Sequence, residues 1–174
     1  DLNADGYGDL VVGAHQAGVD DSGAVYVYFG GAAGVPATPS MTFTSLLGAR
    51  SNFGLAVACG DLDADGFGEL VVTDSLAVSF TFRLAVFPGT RTGPSVAPTI
   101  LLGPDGPSDS FGSADSVVGD VAADGSQDLV VGAELVDAAT GRAYLYSGGP
   151  GGPSFAATLL APDGLAGRFG VQVY

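Results

Sequence analysis

Residues 1–14 read Asp-Leu-Asn-Ala-Asp-Gly-Tyr-Gly-Asp-Leu-Val-Val-Gly-Ala, and this stretch returns twice in the chain. The second copy begins at Asp61 with Asp-Leu-Asp-Ala-Asp-Gly-Phe-Gly-Glu-Leu-Val-Val. The third begins at Asp120 with Asp-Val-Ala-Ala-Asp-Gly-Ser-Gln-Asp-Leu-Val-Val-Gly-Ala. Copies that begin at residues 1, 61 and 120 are 60 and 59 residues apart. A fixed period indicates a repeat architecture in which neighbouring units share a core.

Three further markers recur in the same order at nearly the same period. They are a Phe-Gly pair, a Leu-Leu pair that precedes it, and a glycine-flanked alternation of aromatic and aliphatic residues. The Phe-Gly pairs begin at residues 53, 111 and 169, the Leu-Leu pairs at 46, 101 and 159, and the alternations span 23–30 and 141–148, with a weaker copy over 83–89. Together the markers divide the chain into units of about 1–60, 61–119 and 120–174. The second unit diverges most, since Thr73 and Asp74 replace its Gly-Ala pair.

Each unit is predicted to contain strands only. The Leu-Val-Val runs and the aromatic alternations are rich in residues that favour strands, and no window shows the 3.6-residue apolar period of a helix. We name the four strands of a unit A (from Phe-Gly onward), B (Leu-Val-Val), C (the aromatic alternation) and D (ending in Leu-Leu). Four short strands at a fixed period predict an all-β chain, a β-propeller with four-stranded antiparallel blades. The A–B and C–D loops then lie on one face and the B–C and D–A loops on the other.

The composition excludes several classes of protein. The chain has 174 residues, a net charge of −14, 19 acidic residues and five basic residues, all of them arginine. Five scattered arginines do not form the basic patch that nucleic-acid binding requires, and no run of about 18 apolar residues exists to insert into a membrane. The single cysteine, Cys59, lies in an apolar run and is predicted to be buried.

The repeated acidic segment has the spacing of a cation-binding loop. Oxygen-bearing side chains at positions 1, 3 and 5 can converge on one point, and the glycine at position 6 permits the turn that closes the loop. The carbonyl of position 7 and the carboxylate of position 9 would complete an oxygen set that suits Ca²⁺ better than Mg²⁺, which retains more water. Position 12, acidic in an EF-hand, is valine in every copy, so the loop is predicted to join two strands. The competing interpretation is an Asx turn that binds no metal.

The three loops differ in their predicted ligand sets. The first loop offers Asp1, Asn3, Asp5, the Tyr7 carbonyl and Asp9; the second offers Asp61, Asp63, Asp65, the Phe67 carbonyl and Glu69; and the third offers Asp120, Asp124, the Ser126 carbonyl and Asp128. The third loop has Ala122 at position 3 and lacks that ligand. Two Ca²⁺ ions are therefore predicted, and the sequence leaves the occupancy of the third loop open.

Taken together, the Phe-Gly pair, the acidic loop that runs into Leu-Val-Val-Gly-Ala, and the aromatic alternation resemble the FG-GAP repeat of the integrin α-subunit β-propeller and its bacterial relatives. The resemblance covers all three units. It implies a calcium-stabilised propeller that serves in adhesion or protein recognition, outside the cell or at its surface. It also implies a ring of about seven blades, which is more than the units of this chain provide.

Three units are expected to need further blades, because an open array leaves sheet edges and half of its core uncovered. The chain is predicted to begin with strands B, C and D of one blade and to end with strand A of a blade elsewhere, at 169–174. In one interpretation a second copy associates head to tail, and the homodimer closes a six-bladed ring. In the other, the remaining blades belong to a larger propeller. The chain is divided inside an A–B loop, where an exchange of strand A between two copies would close the ring. This slightly favours the homodimer.

Three classes of function follow from these features. The favoured prediction is a non-enzymatic calcium-binding module for adhesion or protein recognition. The alternatives are a glycan-binding lectin and the non-catalytic propeller of a larger secreted enzyme. Catalysis has little support, since His15 is the only histidine available to a Ser-His-Asp triad. The acids outside the loops, Asp74 and Asp109 among them, are expected to be solvated, and the tyrosines of strand C are expected to pack between blades.

Overall fold

The chain forms three separate sheets, and the first strand of the second and third sheets comes from the end of the preceding repeat unit. The computed structural model describes residues 1–18, 20–76, 79, 81–106 and 110–174, and at residue 138 the backbone alone. Eleven strands within these residues pair antiparallel into one sheet of three strands and two sheets of four. We call the sheets blade 1, blade 2 and blade 3 in chain order. The predicted all-β chain of antiparallel propeller blades is confirmed.

Blade 1 contains strands B, C and D of the first unit. They are β1 (Leu10–Ala14), β2 (Ala24–Tyr28) and β3 (Met41–Thr44), in the order β1-β2-β3. Among the described residues, no strand pairs with the free edge of β1. Blade 1 is therefore a propeller blade without its strand A.

Blades 2 and 3 contain all four strands, in sequential order across each sheet. Blade 2 consists of β4 (Val57–Gly60), β5 (Glu69–Leu76), β6 (Thr81–Phe87) and β7 (Thr99–Leu101). Blade 3 consists of β8 (Ser116–Gly119), β9 (Asp128–Ala133), β10 (Arg142–Ser147) and β11 (Ser154–Leu160). The first leucine of strand B pairs with an aromatic residue of strand C in every blade, as Leu10–Tyr28, Leu70–Phe87 and Leu129–Tyr146. Equivalent residues of the repeats therefore pair in the same register in every blade.

The hydrophobic core lies between the blades. One cluster joins blades 1 and 2 and includes Val25, Val27, Leu70 and Val72. A second cluster joins blades 2 and 3 and includes Leu84, Val86, Leu129, Val131 and Tyr144. The phenylalanine of each internal Phe-Gly pair is fully buried in one of them, Phe53 in the first and Phe111 in the second. Each sheet covers one face of the next, which is why a lone unit could not bury its apolar residues.

The Phe-Gly pair and the glycine before strand C recur together because their backbones touch. Phe53 forms an isolated parallel bridge with Gly23, and Phe169 forms the same bridge with Gly141. Gly23 has φ +78°, and a side chain there would collide with the Phe53 carbonyl oxygen. Only glycine combines this backbone conformation with so close an approach.

The structure corrects three sequence predictions about the elements. Strand A does not begin at the Phe-Gly pair, because Gly54 takes φ +83° and turns the chain before β4 begins at Val57. Strand D of the first unit ends at Thr44, before the Leu-Leu pair. The B–C loop of the third unit contains one short helix, α1 (Val136–Ala139), where strands alone were expected.

Cys59 is exposed, and the prediction that it is buried is wrong. It lies on β4, which contacts β8 of the next blade and β1 of the preceding one. Strand A of blade 2 is therefore the strand that lies nearest to both neighbouring sheets. At the other end of the chain, residues 170–174 contain no strand. That the segment 169–174 completes a blade elsewhere stays a prediction.

Candidate metal centre

The first cation loop, residues 1–9, is folded around its own carboxylates. Asp1 accepts hydrogen bonds from the backbone N–H groups of Asp5 (3.1 Å) and Gly6 (2.7 Å). Asn3 Oδ1 also accepts from Asp5 N–H (3.2 Å), and Asp5 Oδ1 accepts from Tyr7 N–H (2.9 Å). Gly6 has φ +89°, as the predicted turn at position 6 requires. The side chains at positions 1, 3 and 5 are thereby held on the inside of one turn.

The second cation loop, residues 61–69, repeats this arrangement with a carboxylate at positions 1, 3, 5 and 9. Asp61 accepts from the N–H groups of Asp65 (3.1 Å) and Gly66 (3.0 Å), and Asp65 Oδ1 accepts from Phe67 N–H (2.8 Å). Asp63 Oδ1 accepts from Asp65 N–H at 3.1 Å. One oxygen atom from each of Asp61, Asp63 and Asp65 lies within 4.8 Å of the other two. The structure thus brings together three of the predicted ligands of this loop.

The carboxylates of the second loop repel one another. The pKa of the Asp63 carboxyl is raised by burial first and then by the negative charges of Asp65 and Asp61. A raised carboxylate pKa means that the ionised form is disfavoured in the metal-free protein. Carboxylates that converge in this way fit a hard divalent cation with oxygen ligands.

The third cation loop, residues 120–128, keeps the turn but has fewer ligands. Asp120 accepts from the N–H groups of Asp124 and Gly125, both at 3.1 Å, and Asp124 Oδ1 accepts from Ser126 N–H at 2.9 Å. Ala122 offers no side-chain oxygen at position 3. The same backbone therefore forms with one ligand fewer. The carbonyl ligands predicted at position 7 of the three loops, from Tyr7, Phe67 and Ser126, stay predictions.

The acid at position 9 makes contacts that the sequence did not indicate. Glu69 accepts from Leu62 N–H at 2.7 Å and from Gly89 N–H at 2.9 Å, and so joins the A–B loop to the C–D loop of blade 2. Burial raises the pKa of the Glu69 carboxyl, and these two bonds partly offset that effect. Asp9 and Asp128 make the corresponding pairs of bonds, to Leu2 and Gly30 and to Val121 and Gly148. Each carboxylate oxygen has a second lone pair, so these hydrogen bonds still leave room for a metal ion. The role of these acids as metal ligands stays a prediction.

The residue at position 2 connects the first and second cation loops to the next blade. Leu62 is buried in the cluster between blades 2 and 3, and Leu2 is buried in the cluster between blades 1 and 2. Val121 occupies the same position in the third loop and is 64% exposed. The signal for this role was present in the sequence, since position 2 is aliphatic in every copy. The first and second cation loops thus lie at the boundaries between blades.

Comparison with known proteins finds the same kind of repeat. A family model described as the FG-GAP-like repeat matches residues 1–72. The chain is 31% identical over 176 residues to Integrin alpha-5 of Xenopus laevis, which covers 94% of this chain and 16% of that protein. It is 42% identical over 76 residues to Integrin alpha pat-2 of Caenorhabditis briggsae, covering 41% of this chain and 6% of that protein. It is 37% identical over 81 residues to Phosphatidylinositol-glycan-specific phospholipase D of Rattus norvegicus, covering 44% and 10%.

The chain is built of FG-GAP repeats. In them it resembles the integrin α subunits, and it spans only 6% to 16% of the length of the three relatives named above. Within the described residues, no helix has the length and apolar character needed to cross a membrane.

The FG-GAP units also contain charged residues outside the cation loops. Asp74 was expected to be solvated, and this is wrong: its carboxylate is fully buried. It accepts from Arg83 Nη2 at 2.8 Å and from Ser45 Oγ at 2.7 Å. Asp74 therefore links the B–C hairpin of blade 2 to the end of blade 1. Asp109, for which the same expectation was made, lies outside the described residues.

The tyrosines of strand C differ between the FG-GAP units. Tyr144 and Tyr146 are buried, and their rings lie 5.7 and 5.9 Å from that of Phe111. Tyr26 and Tyr28 are half-buried on blade 1. Packing between blades is thus confirmed for blade 3. His15 is partly exposed, and none of its hydrogen bonds within the described part of the chain joins it to a serine or a carboxylate.

Proposed function

We propose that this chain is a non-enzymatic, calcium-binding β-propeller module that serves in adhesion or protein recognition outside the cell or at its surface. The observation that carries the calcium proposal is the convergence of Asp61, Asp63 and Asp65 on the inside of one turn. The similarity to proteins named as integrin α subunits supports the proposal of recognition. Partners would be proteins or, in a lectin-like variant of this function, glycans.

The chain's own residues prepare the sites that would hold the metal. The first and second loops provide side-chain oxygens at positions 1, 3 and 5, and the third lacks the one at position 3. Bound Ca²⁺ would supply positive charge that offsets the repulsion among these carboxylates. Because Leu2 and Leu62 extend from the same loops into the cores between blades, a loop held in place also holds the neighbouring blade.

Further blades are needed to cover the two outward faces of the array. Leu10 is 46% exposed on blade 1, whereas Leu70 and Leu129 are buried at the same position. Val121 is exposed on blade 3, whereas Leu2 and Leu62 are buried. We propose that a second copy, associated head to tail, or the remaining blades of a larger propeller cover these surfaces. Light scattering on the 174-residue chain separates the two, since only the first gives a dimer.

A second candidate is the non-catalytic propeller of a larger secreted enzyme. It is favoured by the similarity to a protein named as a phospholipase D. In this case too the chain itself would bind calcium and would not catalyse a reaction. The lectin alternative has less support, because Tyr144 and Tyr146, which could otherwise stack on sugars, are buried between blades.

Calorimetry tests the calcium proposal directly. Titration of the metal-free chain with CaCl₂ is expected to release or absorb heat with a stoichiometry of two or three ions. A ligand that binds only the native state at a hundredfold excess over Kd stabilises it by about 2.7 kcal/mol. For a chain of this length that corresponds to a rise of roughly 5–10 °C in Tm. Mg²⁺ at the same concentration should give a smaller rise. A Tm that is the same in CaCl₂ and in EDTA, with no heat of binding, would overturn the proposal.

A further inference from the structure

Position 8 of the third cation loop carries a side chain that the other loops lack. It is Gln127, where the first and second loops have Gly8 and Gly68. Gln127 Oε1 accepts the backbone N–H of Asp61 at 2.7 Å, and the Gln127 N–H donates to the Asp61 carbonyl at 3.2 Å. Gly60 makes room for this contact, since a side chain there would collide with Gln127 Oε1. Two hydrogen bonds from blade 3 therefore hold the first residue of the second loop.

The side chain of Asp61 holds the turn of the second loop together. Its carboxylate accepts the N–H groups of Asp65 and Gly66, and it is itself a predicted ligand. Gln127 lies between Ser126 and Asp128, which are predicted ligands of the third loop. The contact thus connects two cation loops across the boundary between blades 2 and 3.

The boundary between blades 1 and 2 provides an internal comparison. Gly68 has no side chain with which to reach Asp1, although a Cβ at Gly68 would lie 3.2 Å from the Asp1 carbonyl oxygen. Among the hydrogen bonds of the described residues, none joins Gly68 to the first loop. The first loop is consequently a reference site that Gln127 does not touch.

We propose that Gln127 is a positioning residue that couples the second cation loop to the third, so that a cation in the third loop tightens cation binding in the second. This inference rests on the proposed calcium function. If the Ser126 carbonyl and Asp128 held a cation, the backbone on both sides of Gln127 would be fixed and the Gln127 amide would stay against Asp61. Coupling between binding sites is reciprocal, so a cation in the second loop tightens the third by the same factor.

Tyrosine-sensitised Tb³⁺ luminescence of the full chain can measure the loops separately. Tyr7 belongs to the first loop, and the luminescence that is lost on Tyr7→Phe reports that loop. The pair of substitutions Tyr7→Phe and Phe67→Tyr moves the sensitiser to the second loop without changing the ligand type at position 7. Half-saturation by Tb³⁺ is then compared in each background with Gln127, with Gln127→Ala and with Gln127→Glu.

We expect Gln127→Ala to weaken Tb³⁺ binding at the second loop about fivefold, the effect of one hydrogen bond. Binding at the first loop should not change. Gln127→Glu keeps an acceptor oxygen and should restore the second loop. Asp120→Ala, which disables the third loop, should weaken the second loop when Gln127 is present and should add little in the Gln127→Ala chain.

The outcomes separate this inference from the function on which it rests. Equal affinity of the second loop with Gln127 and with Gln127→Ala, in a chain that still binds Tb³⁺ and Ca²⁺, overturns the coupling and leaves the calcium function intact. Equal weakening of the first and second loops shows a general effect on folding and also overturns it. Absence of cation binding in every variant overturns the calcium function itself.

Discussion

Asp63 is a predicted ligand whose negative charge is unfavourable in the metal-free protein. In the metal-free protein its charge is disfavoured by burial and by Asp65 and Asp61, whereas a bound cation would make the same charge a ligand. We expect Asp63→Ala to weaken Ca²⁺ binding about tenfold or more, which is about 1.4 kcal/mol or more. In CaCl₂ its Tm should fall, and in EDTA its Tm should equal or exceed that of the unmodified chain.

The control for Asp63→Ala is Asp115→Ala. Asp115 is an exposed acid outside the loops, so the net charge changes equally while the ligand set is kept. Differential scanning calorimetry in CaCl₂ and in EDTA gives both comparisons. A loss of Tm that is the same in both buffers would contradict the assignment of Asp63 as a ligand.

Asp74 is buried outside the cation loops, so its contribution to the free energy of unfolding can be measured in the absence of metal. Its partner Arg83 is 19% exposed, and removal of one member of a buried ion pair typically costs about 3–5 kcal/mol. We expect Asp74→Ala to lower the free energy of unfolding by about 3 kcal/mol, as measured by urea denaturation. The matched variant is Asp137→Ala, whose side chain is 61% exposed beside Arg142 and should cost less than about 1 kcal/mol. Similar losses in the two variants would contradict the buried role of Asp74.

At the scale of the elements, Glu69 joins the loop before β5 to the loop after β6. Glu69→Ala would leave the buried N–H groups of Leu62 and Gly89 without their acceptor, at about 1–3 kcal/mol each. We therefore expect Glu69→Ala to destabilise the chain by about 2–5 kcal/mol in EDTA as well as in CaCl₂. Urea denaturation in both buffers is the measurement. A loss confined to CaCl₂ would mean that Glu69 acts through the metal alone.

The repeated elements could be predicted from the sequence because their determinants are local. The Leu-Val-Val and aromatic runs specify strands by propensity and period, and the glycine at position 6 specifies the cation turn. The start of β4 could not be predicted, since it depends on a left-handed turn at Gly54. The burial of Asp74 depends on Ser45 from another blade, and the exposure of Cys59 depends on the place of β4 between the neighbouring sheets. Contacts between blades are thus the part that local patterns do not reveal.

At the scale of the whole molecule, the two outward faces are complementary in composition. Blade 1 presents Leu10 and Val12, 46% and 41% exposed, at positions that are buried in the other blades. Blade 3 presents Val121, at the position where Leu2 and Leu62 enter the core between blades. At both internal boundaries, the strand-B residues of one blade cover the position-2 leucine of the preceding blade. Leu70 and Val72 lie in one cluster with Leu2, and Leu129 and Val131 lie in the other with Leu62. The same contact can therefore form between copies of this chain, and two such contacts related by a two-fold axis would close a ring.

We accordingly expect the 174-residue chain to form a dimer by multi-angle light scattering. Leu10→Asp and Val121→Asp each place a carboxylate at both junctions of the ring, so either should reduce the mass to that of one chain. Val96→Asp, at an apolar residue that is 77% exposed in a loop of blade 2, adds the same charge and should leave the dimer intact. Because each copy has a net charge of −14, Ca²⁺ and moderate salt should strengthen the association by reducing repulsion. An unmodified chain that stays monomeric and unfolds in one cooperative transition would contradict closure by a second copy and leave the larger propeller as the source of the missing blades.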